Sequence, residues 1–193
     1  MSKKLIAIIG AVALLVIFGV SSYNSLVEKD EEVKNKWSDV ETQYQRRADL
    51  IPNLVNTVKG YAAHERETLS EVMEARSKAT SITIDPSNIT PEQFAEYQKA
   101  QSGVTSALGR LLAVAENYPD LKANQQFLEL QAQLEGTENR IAEARRVFNA
   151  SVKEFNANIR KFPTNIFASM LGFEKYEYYE ADEGTEKAPV VQF

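Results

Sequence analysis

The sequence predicts an all-α protein: a helix of membrane length at the N-terminus, then long helices packed at shallow angles. Three observations predict it. Leu5 to Val20 is a run of sixteen residues without a polar side chain. Beyond it, apolar residues recur at alternating spacings of four and three, the geometry of helices packed in heptad register. Glycine and proline are scarce, eight and six, and they cluster at a few points.

As a helix the apolar run is ~24 Å long, slightly short of the ~30 Å hydrocarbon core of a bilayer. Lys3 and Lys4 can snorkel at one end, and Ser21, Ser22 and Tyr23 can sit in the interface at the other. The competing reading is a cleaved signal peptide with its cut at Tyr23. The run is long for a signal core and no A-x-A site follows, so an anchor over residues 1–23 is expected. No cysteine follows the run, which excludes a lipoprotein anchor. Lys3 and Lys4 argue for a cytoplasmic N-terminus. Lys29, Lys34 and Lys36 weaken that argument from the far side.

Residues 24–163 carry the bundle. The first seam is Val33, Trp37, Val40, Tyr44, Arg47, Ile51, Leu54, Val58, Tyr61. Its one charged member is Arg47. Pro52 lies inside this helix, where it removes one backbone donor and is expected to kink the helix without ending it. A second stretch, Glu65 to Ala79, has Leu69, Val72 and Ala79 at similar spacing; periodicity alone does not say whether it folds back at Gly60. Thr80 to Thr90 reads as a loop. Thr90-Pro91-Glu92-Gln93 then opens a helix with a capping box. Its seam is Phe94, Tyr97, Gln101, Val104, Leu108, Leu111, Ala115, Tyr118. Tyr118-Pro119-Asp120 ends it and starts the last helix, whose seam runs from Phe127 through Leu130, Leu134, Thr137, Ile141, Ala144, Phe148, Val152, Phe155 and Ile159 to Phe162, with Pro163 as the stop.

Two short regions follow. Residues 164–173 hold an apolar patch. Residues 174–193 hold six acids and two lysines and are expected to be a flexible acidic tail. The tail ends in Val190-Val191-Gln192-Phe193. An extended terminal peptide of this kind can add a strand to a sheet edge, with Val191 and Phe193 in pockets, so these two residues are candidate docking positions for a partner.

Composition excludes several functions. The chain has 22 basic and 27 acidic residues, and without Lys3 and Lys4 the remainder is near −7. Nucleic acid is therefore not an expected partner, because phosphate binding needs a basic face. There is no cysteine, hence no disulfide, thiolate or cysteine-based metal site. The only histidine, His64, cannot supply the paired Glu-x-x-His motifs of a di-iron bundle. No Gly-flanked serine elbow or Gly-rich phosphate loop is present. No catalytic residue, metal ligand or cofactor is expected. The charged runs Glu28–Lys36 and Gln133–Arg146 read as solvated helix faces.

Arg47 needs a partner if it is buried. Arg76 also falls near a seam, and Glu116 and Glu138 are candidate counter-charges, giving a core polar network of Arg47, Arg76, Glu116 and Glu138. Such a network can fix helix register or bind a carboxylate on a ligand or partner; both readings stand at this stage.

Several blocks resemble the LemA family of bacterial membrane-anchored helical bundles. They are Tyr23-Asn24-Ser25-Leu26-Val27, Trp37, and Gln45-Arg46-Arg47-Ala48-Asp49-Leu50-Ile51-Pro52-Asn53-Leu54-Val55, followed by Gly60-Tyr61-Ala62-Ala63-His64-Glu65 and Glu74-Ala75-Arg76. Later blocks are Glu116 to Ala123, Glu138 to Arg145 and Phe162-Pro163-Thr164-Asn165-Ile166-Phe167-Ala168. The resemblance implies an antiparallel up-and-down four-helix bundle with long helices behind one N-terminal transmembrane helix, with a turn near Gly60. It implies no reaction, since the family has no established catalytic activity. Its members are often encoded beside membrane metalloproteases or TPM-domain proteins, and one relative takes part in building magnetosome membranes.

In that arrangement the last helix returns toward the membrane. The patch Phe162, Ile166, Phe167, Met170, Leu171 and Phe173 would then cap the bundle base or dip into the interface; its shortness and few basic residues favour capping. The expected protein is a single-pass protein of the bacterial cell membrane, with Leu5 to Val20 in the bilayer and the bulk outside the cytoplasm. Its expected role is a non-catalytic scaffold for other membrane proteins. The alternative is a homo-oligomer that organises the membrane, with a bundle enzyme or small-ligand binder third.

Overall fold

One helix, α1, runs unbroken from Lys3 to Tyr61, 59 residues, or ~88 Å at ~1.5 Å per residue. Its apolar start is long and apolar enough to cross a membrane. The large apolar side chains from Leu5 to Phe18 are exposed. Burial begins at Ser22 and Leu26 and follows the predicted seam from Val33 to Val58; Tyr61, its last member, is exposed. The apolar segment and the bundle's first helix are therefore one rod with no linker between them.

The computed structural model describes residues 3–180. After α1 come α2 (Arg66–Ser81), α3 (Pro91–Ala115), α4 (Pro119–Lys122), α5 (Gln125–Asn158) and α6 (Thr164–Met170), and no strand occurs among the described residues. The chain does turn just past Gly60: Ala62 N–H donates to Val58 O at 2.8 Å and Glu65 N–H to Ala62 O at 3.0 Å. The capping box at α3 is formed, with Thr90 Oγ1 accepting from Gln93 N at 3.2 Å and Gln93 Oε1 from Thr90 N at 3.0 Å. The Tyr118-Pro119-Asp120 break opens the one-turn helix α4. The last long helix starts later, where Asn124 Oδ1 caps Phe127 N at 2.9 Å. It also ends earlier than its seam predicts, at Asn158. Phe162 is therefore out of the seam and 81% exposed.

Facing residues fix the directions. Lys29 pairs with Glu154, Arg47 with Glu138, and the Tyr61 hydroxyl accepts from Asn124, so α1 and α5 are antiparallel. Glu71 meets Arg110 and Glu65 meets Tyr118, which makes α2 and α3 antiparallel. Arg76 reaches Ala48, and Trp37 packs on Phe94 and Tyr97. The helices thus alternate up and down. The second helix, α2, has only 16 residues, close to the Glu65–Ala79 stretch read from the sequence. It flanks the distal part of α1, so the four-helix cross-section exists only there.

The core divides accordingly. The distal cluster is aliphatic but for Phe127 and includes Ile51, Leu54, Val58, Val72, Leu111, Leu121 and Leu134. The proximal cluster, on the side of the apolar segment, is aromatic: Trp37, Tyr44, Phe94, Tyr97, Phe148, Phe155, Tyr176 and Tyr179 gather there with Val33, Val40 and Val152. Tyr176 and Tyr179 correct the expectation of a flexible tail starting at Glu174. Residues 174–180 are a strap seated on the bundle, with both tyrosines buried.

Candidate functional site

Arg47 is the most deeply buried charge in the helices, 2% exposed. The heptad register of α1 aims it between α3 and α5, where a seam position would ordinarily hold an aliphatic side chain. A guanidinium in that place must be fully hydrogen-bonded. Nη1 donates to Thr105 Oγ1 at 2.9 Å and Glu138 Oε1 at 3.0 Å. Nη2 donates to Gln101 Oε1 at 2.7 Å and Gln101 O at 3.1 Å. The Tyr44 ring lies 5.0 Å from the guanidinium carbon, a cation–π contact. Burial pushes the Tyr44 hydroxyl's pKa upward against the pull of Arg145 and Arg47. Gln101 was visible in the sequence as a polar member of the α3 seam; Thr105 was not.

Arg76, also assigned to this network, does different work. Pro52 has no N–H, so the carbonyl of Ala48 one turn earlier loses its helical partner. Arg76 Nε donates to that carbonyl at 2.7 Å. A proline in one helix is compensated by an arginine from the next. Glu116 belongs elsewhere: it pairs with Lys122 at the distal end. The structure thus brings Arg47 and Glu138 together, sets Arg76 beside them on the backbone, and leaves Glu116 out.

Clefts open on both sides of Arg47. One of about 180 Å³ is lined by Glu41, Tyr44, Arg76, Ile82 and Tyr97. The other, also about 180 Å³, is lined by Ser102, Thr105, Glu138 and Arg145. Both are smaller than the ~300–1,000 Å³ of ordinary ligand pockets. Glu41, in the first, has its carboxyl pKa raised by burial. A ligand carboxylate at Arg47 would have to displace Glu138, so the geometry favours a register-fixing pair. Among the described residues no group of three or more His, Asp or Glu is placed to hold a metal ion. His64 is exposed in the turn after α1.

The apolar patch is split. Phe167 packs on Phe18, ring centroids 5.8 Å apart. Phe173 lies between Tyr23 and Phe155, at 6.4 and 6.2 Å. Phe162, Ile166, Met170 and Leu171 remain exposed. Val191 and Phe193 lie outside the described residues.

Sequence reasoning missed the strap. Two asparagines of α5 grip its backbone. Asn156 Nδ2 donates to Tyr176 O and its Oδ1 accepts from Tyr176 N, each 2.9 Å. Asn149 does the same with Tyr179, again at 2.9 Å. Seven helical residues rise ~10.5 Å and three extended residues ~10 Å, so the two grips stay in step. Arg145 stacks on the Tyr179 ring at 4.6 Å. The Tyr176 hydroxyl donates to Asp30 Oδ1 at 2.7 Å, and burial with that acceptor pushes its pKa up to about 12. The available signal was two asparagines seven apart on one face of α5, with two tyrosines three apart in the tail.

Comparison with known proteins places this architecture. The model of the LemA family matches residues 36–193. Magnetosome protein MamQ 2 of Paramagnetospirillum magneticum is 28% identical over 192 residues, covering 91% of this chain and 70% of that protein. Magnetosome protein MamQ of Magnetospirillum gryphiswaldense is 29% identical over 174 residues, 81% of this chain and 64% of that protein. Protein LemA of Metamycoplasma hominis is 27% identical over 164 residues, 85% of this chain and 71% of that protein.

Proposed function

The chain belongs to the LemA family, and from that premise we propose that it is a membrane-tethered, non-catalytic scaffold presenting its helical bundle to other membrane-associated proteins. The observation that carries this reading is the unbroken α1. The helix that anchors the chain through Leu5–Val20 also supplies the longest wall of the bundle. The body is therefore held at a fixed distance and orientation relative to the anchoring segment, as a scaffold requires. In this reading the chain crosses the cell membrane once and carries its bulk outside the cytoplasm. Its partners are membrane proteins, with metalloproteases and TPM-domain proteins the first to test by family analogy.

Gentle detergent extraction of the full chain, pull-down, mass spectrometry and size analysis test the proposal. Stoichiometric recovery of one or more membrane proteins is expected. A preparation containing this chain alone, as a monomer, would overturn it. A homogeneous oligomer of this chain alone would instead support the second reading, a membrane-organising homo-oligomer. That reading draws on the relatives named magnetosome proteins and on the apolar surface left exposed at α6.

A further inference from the structure

Much of the apolar surface of α6 and its approach is not used by the bundle. Ala168 is buried and Phe167 half-buried, but Phe162 is 81% exposed, Met170 78%, Leu171 50% and Ile166 49%. Ile166 and Met170 lie one turn apart on one face, with Phe162 just before the helix. Left in water, such a cluster forgoes the stabilisation that covering its apolar surface would give.

The position of the patch says what covers it. Phe167 packs on Phe18, and a Cβ at Gly19 would lie 3.0 Å from Phe167 Cε1. That approach is open to glycine and crowded for any larger residue. Phe173, just beyond α6, packs on Tyr23. No residue of α6 lies more than ~6 Å along its axis from Phe167. The exposed face is therefore level with the last turn of the Leu5–Val20 run, where hydrocarbon gives way to headgroups. Arg160 and Lys161, both exposed, immediately precede the patch and place positive charge at its edge. Short apolar elements with cationic flanks settle at that depth.

We infer that Phe162 and α6 lie in one leaflet at the boundary between headgroups and acyl chains, as a second lipid contact beside the membrane span. The occupant of the exposed face is lipid, because the face is continuous with the apolar surface of α1 that the bilayer covers. This inference rests on reading Leu5–Val20 as a span. It departs from the sequence expectation that the patch caps the bundle: only Phe167, Ala168 and Phe173 cap, and the rest face outward.

The chain has no cysteine, so a single nitroxide label reports one position without background. Full-length Phe162→Cys and Met170→Cys would be labelled and reconstituted into phosphatidylcholine–phosphatidylglycerol vesicles. Val12→Cys in the span and Glu67→Cys on α2 serve as references. Electron paramagnetic resonance then compares access by oxygen, which partitions into lipid, with access by a water-soluble nickel chelate. The expected oxygen-to-nickel ratio at Phe162 and Met170 is several-fold above that at Glu67 and below that at Val12. Ratios equal to Glu67, with Val12 still lipid-like, would overturn the inference and leave the span intact. Spin–spin broadening at Phe162 and Met170 would also overturn it, since a second copy would then cover the patch. A water-like ratio at Val12 would bring down the span reading itself.

Discussion

The distal and proximal halves of the bundle solve the same packing problem with different side chains. Distally, α1, α2, α3 and α5 stand together, and Ala62, Ala79, Ala100, Ala107 and Ala115 sit among the buried core residues. Small residues let helices approach closely, and leucine, valine, Ile51 and a single aromatic, Phe127, fill the remainder. Proximally α2 is absent, and the buried cluster contains no alanine but eight aromatic residues. Each aromatic side chain buries ~150–250 Å², so a few of them fill the wide gap between α1, α5, the start of α3, the 82–90 loop and the strap. Trp37 shows this, with rings of Phe94, Tyr97, Phe148 and Tyr179 all within 6.0 Å. Arg47 lies between the halves, one turn from Tyr44 on one side and from Ile51 on the other.

If the proximal half depends on its strap, Tyr179→Ala should cost about 3–5 kcal/mol. The loss should also be local. Hydrogen exchange should quicken in residues 28–42 and 144–156 while 51–58 and 104–111 keep their protection. Equal loosening of both halves would mean that the two cores melt as one unit.

The junction gives an asymmetric test. Glu138→Leu strands a fully buried guanidinium and should cost about 3–5 kcal/mol. Arg47→Met instead strands a Glu138 side chain that is 35% exposed and can take up water, so about 1–3 kcal/mol is expected. Thermal melts of the detergent-solubilised chain compare them. The opposite order would mean that Arg47 contributes mainly through its packing.

Distally, Arg76→Met leaves the Ala48 carbonyl without a donor, for about 1–3 kcal/mol. In a Pro52→Ala background the new N–H should take that carbonyl, and most of the cost should vanish. A double-mutant cycle with no coupling would refute the compensation.

Alkali should separate the halves most gently. The buried tyrosines Tyr44, Tyr97, Tyr176 and Tyr179 all belong to the proximal cluster. Burial raises the pKa of each, to about 12 for Tyr176. A group whose folded value lies above its unfolded value of 10.0 stabilises fully below the unfolded value. That contribution fades as pH rises through the folded value. Between pH ~10 and ~12 the strap should loosen first, seen as phenolate absorbance rising together with faster exchange at residues 28–42. Distal loosening at the same pH would contradict the division.

Features whose cause lies within one element were legible from the sequence. The seam from Val33 to Val58 follows from helix period alone, and the Thr90 capping box from residue types three apart. Arg47 stood out because a charge interrupted an apolar series, and Glu138 followed as a counter-charge. Glu116 was a plausible partner by charge, but charge carries no distance, and it lies at the far end of the bundle. Arg76 answers an orphaned carbonyl created by a proline in another helix, a link that no spacing in the sequence displays. The strap was hidden for a related reason. Its segment is acidic and aperiodic, and its order comes from Asn149 and Asn156, which recognise backbone and so leave no complementary pattern in the tail.

Under the proposed span of Leu5–Val20, the unbroken α1 also makes the molecule a lever. From Val20 to Tyr61 the rod extends ~60 Å beyond the apolar run. With no joint at the surface, a 10° change of tilt in the bilayer would sweep its tip sideways by about 10 Å. Membrane helices tilt to match the thickness of the hydrocarbon around them. Local thinning or thickening of the bilayer would therefore be read out as a displacement of the distal bundle, far from any lipid.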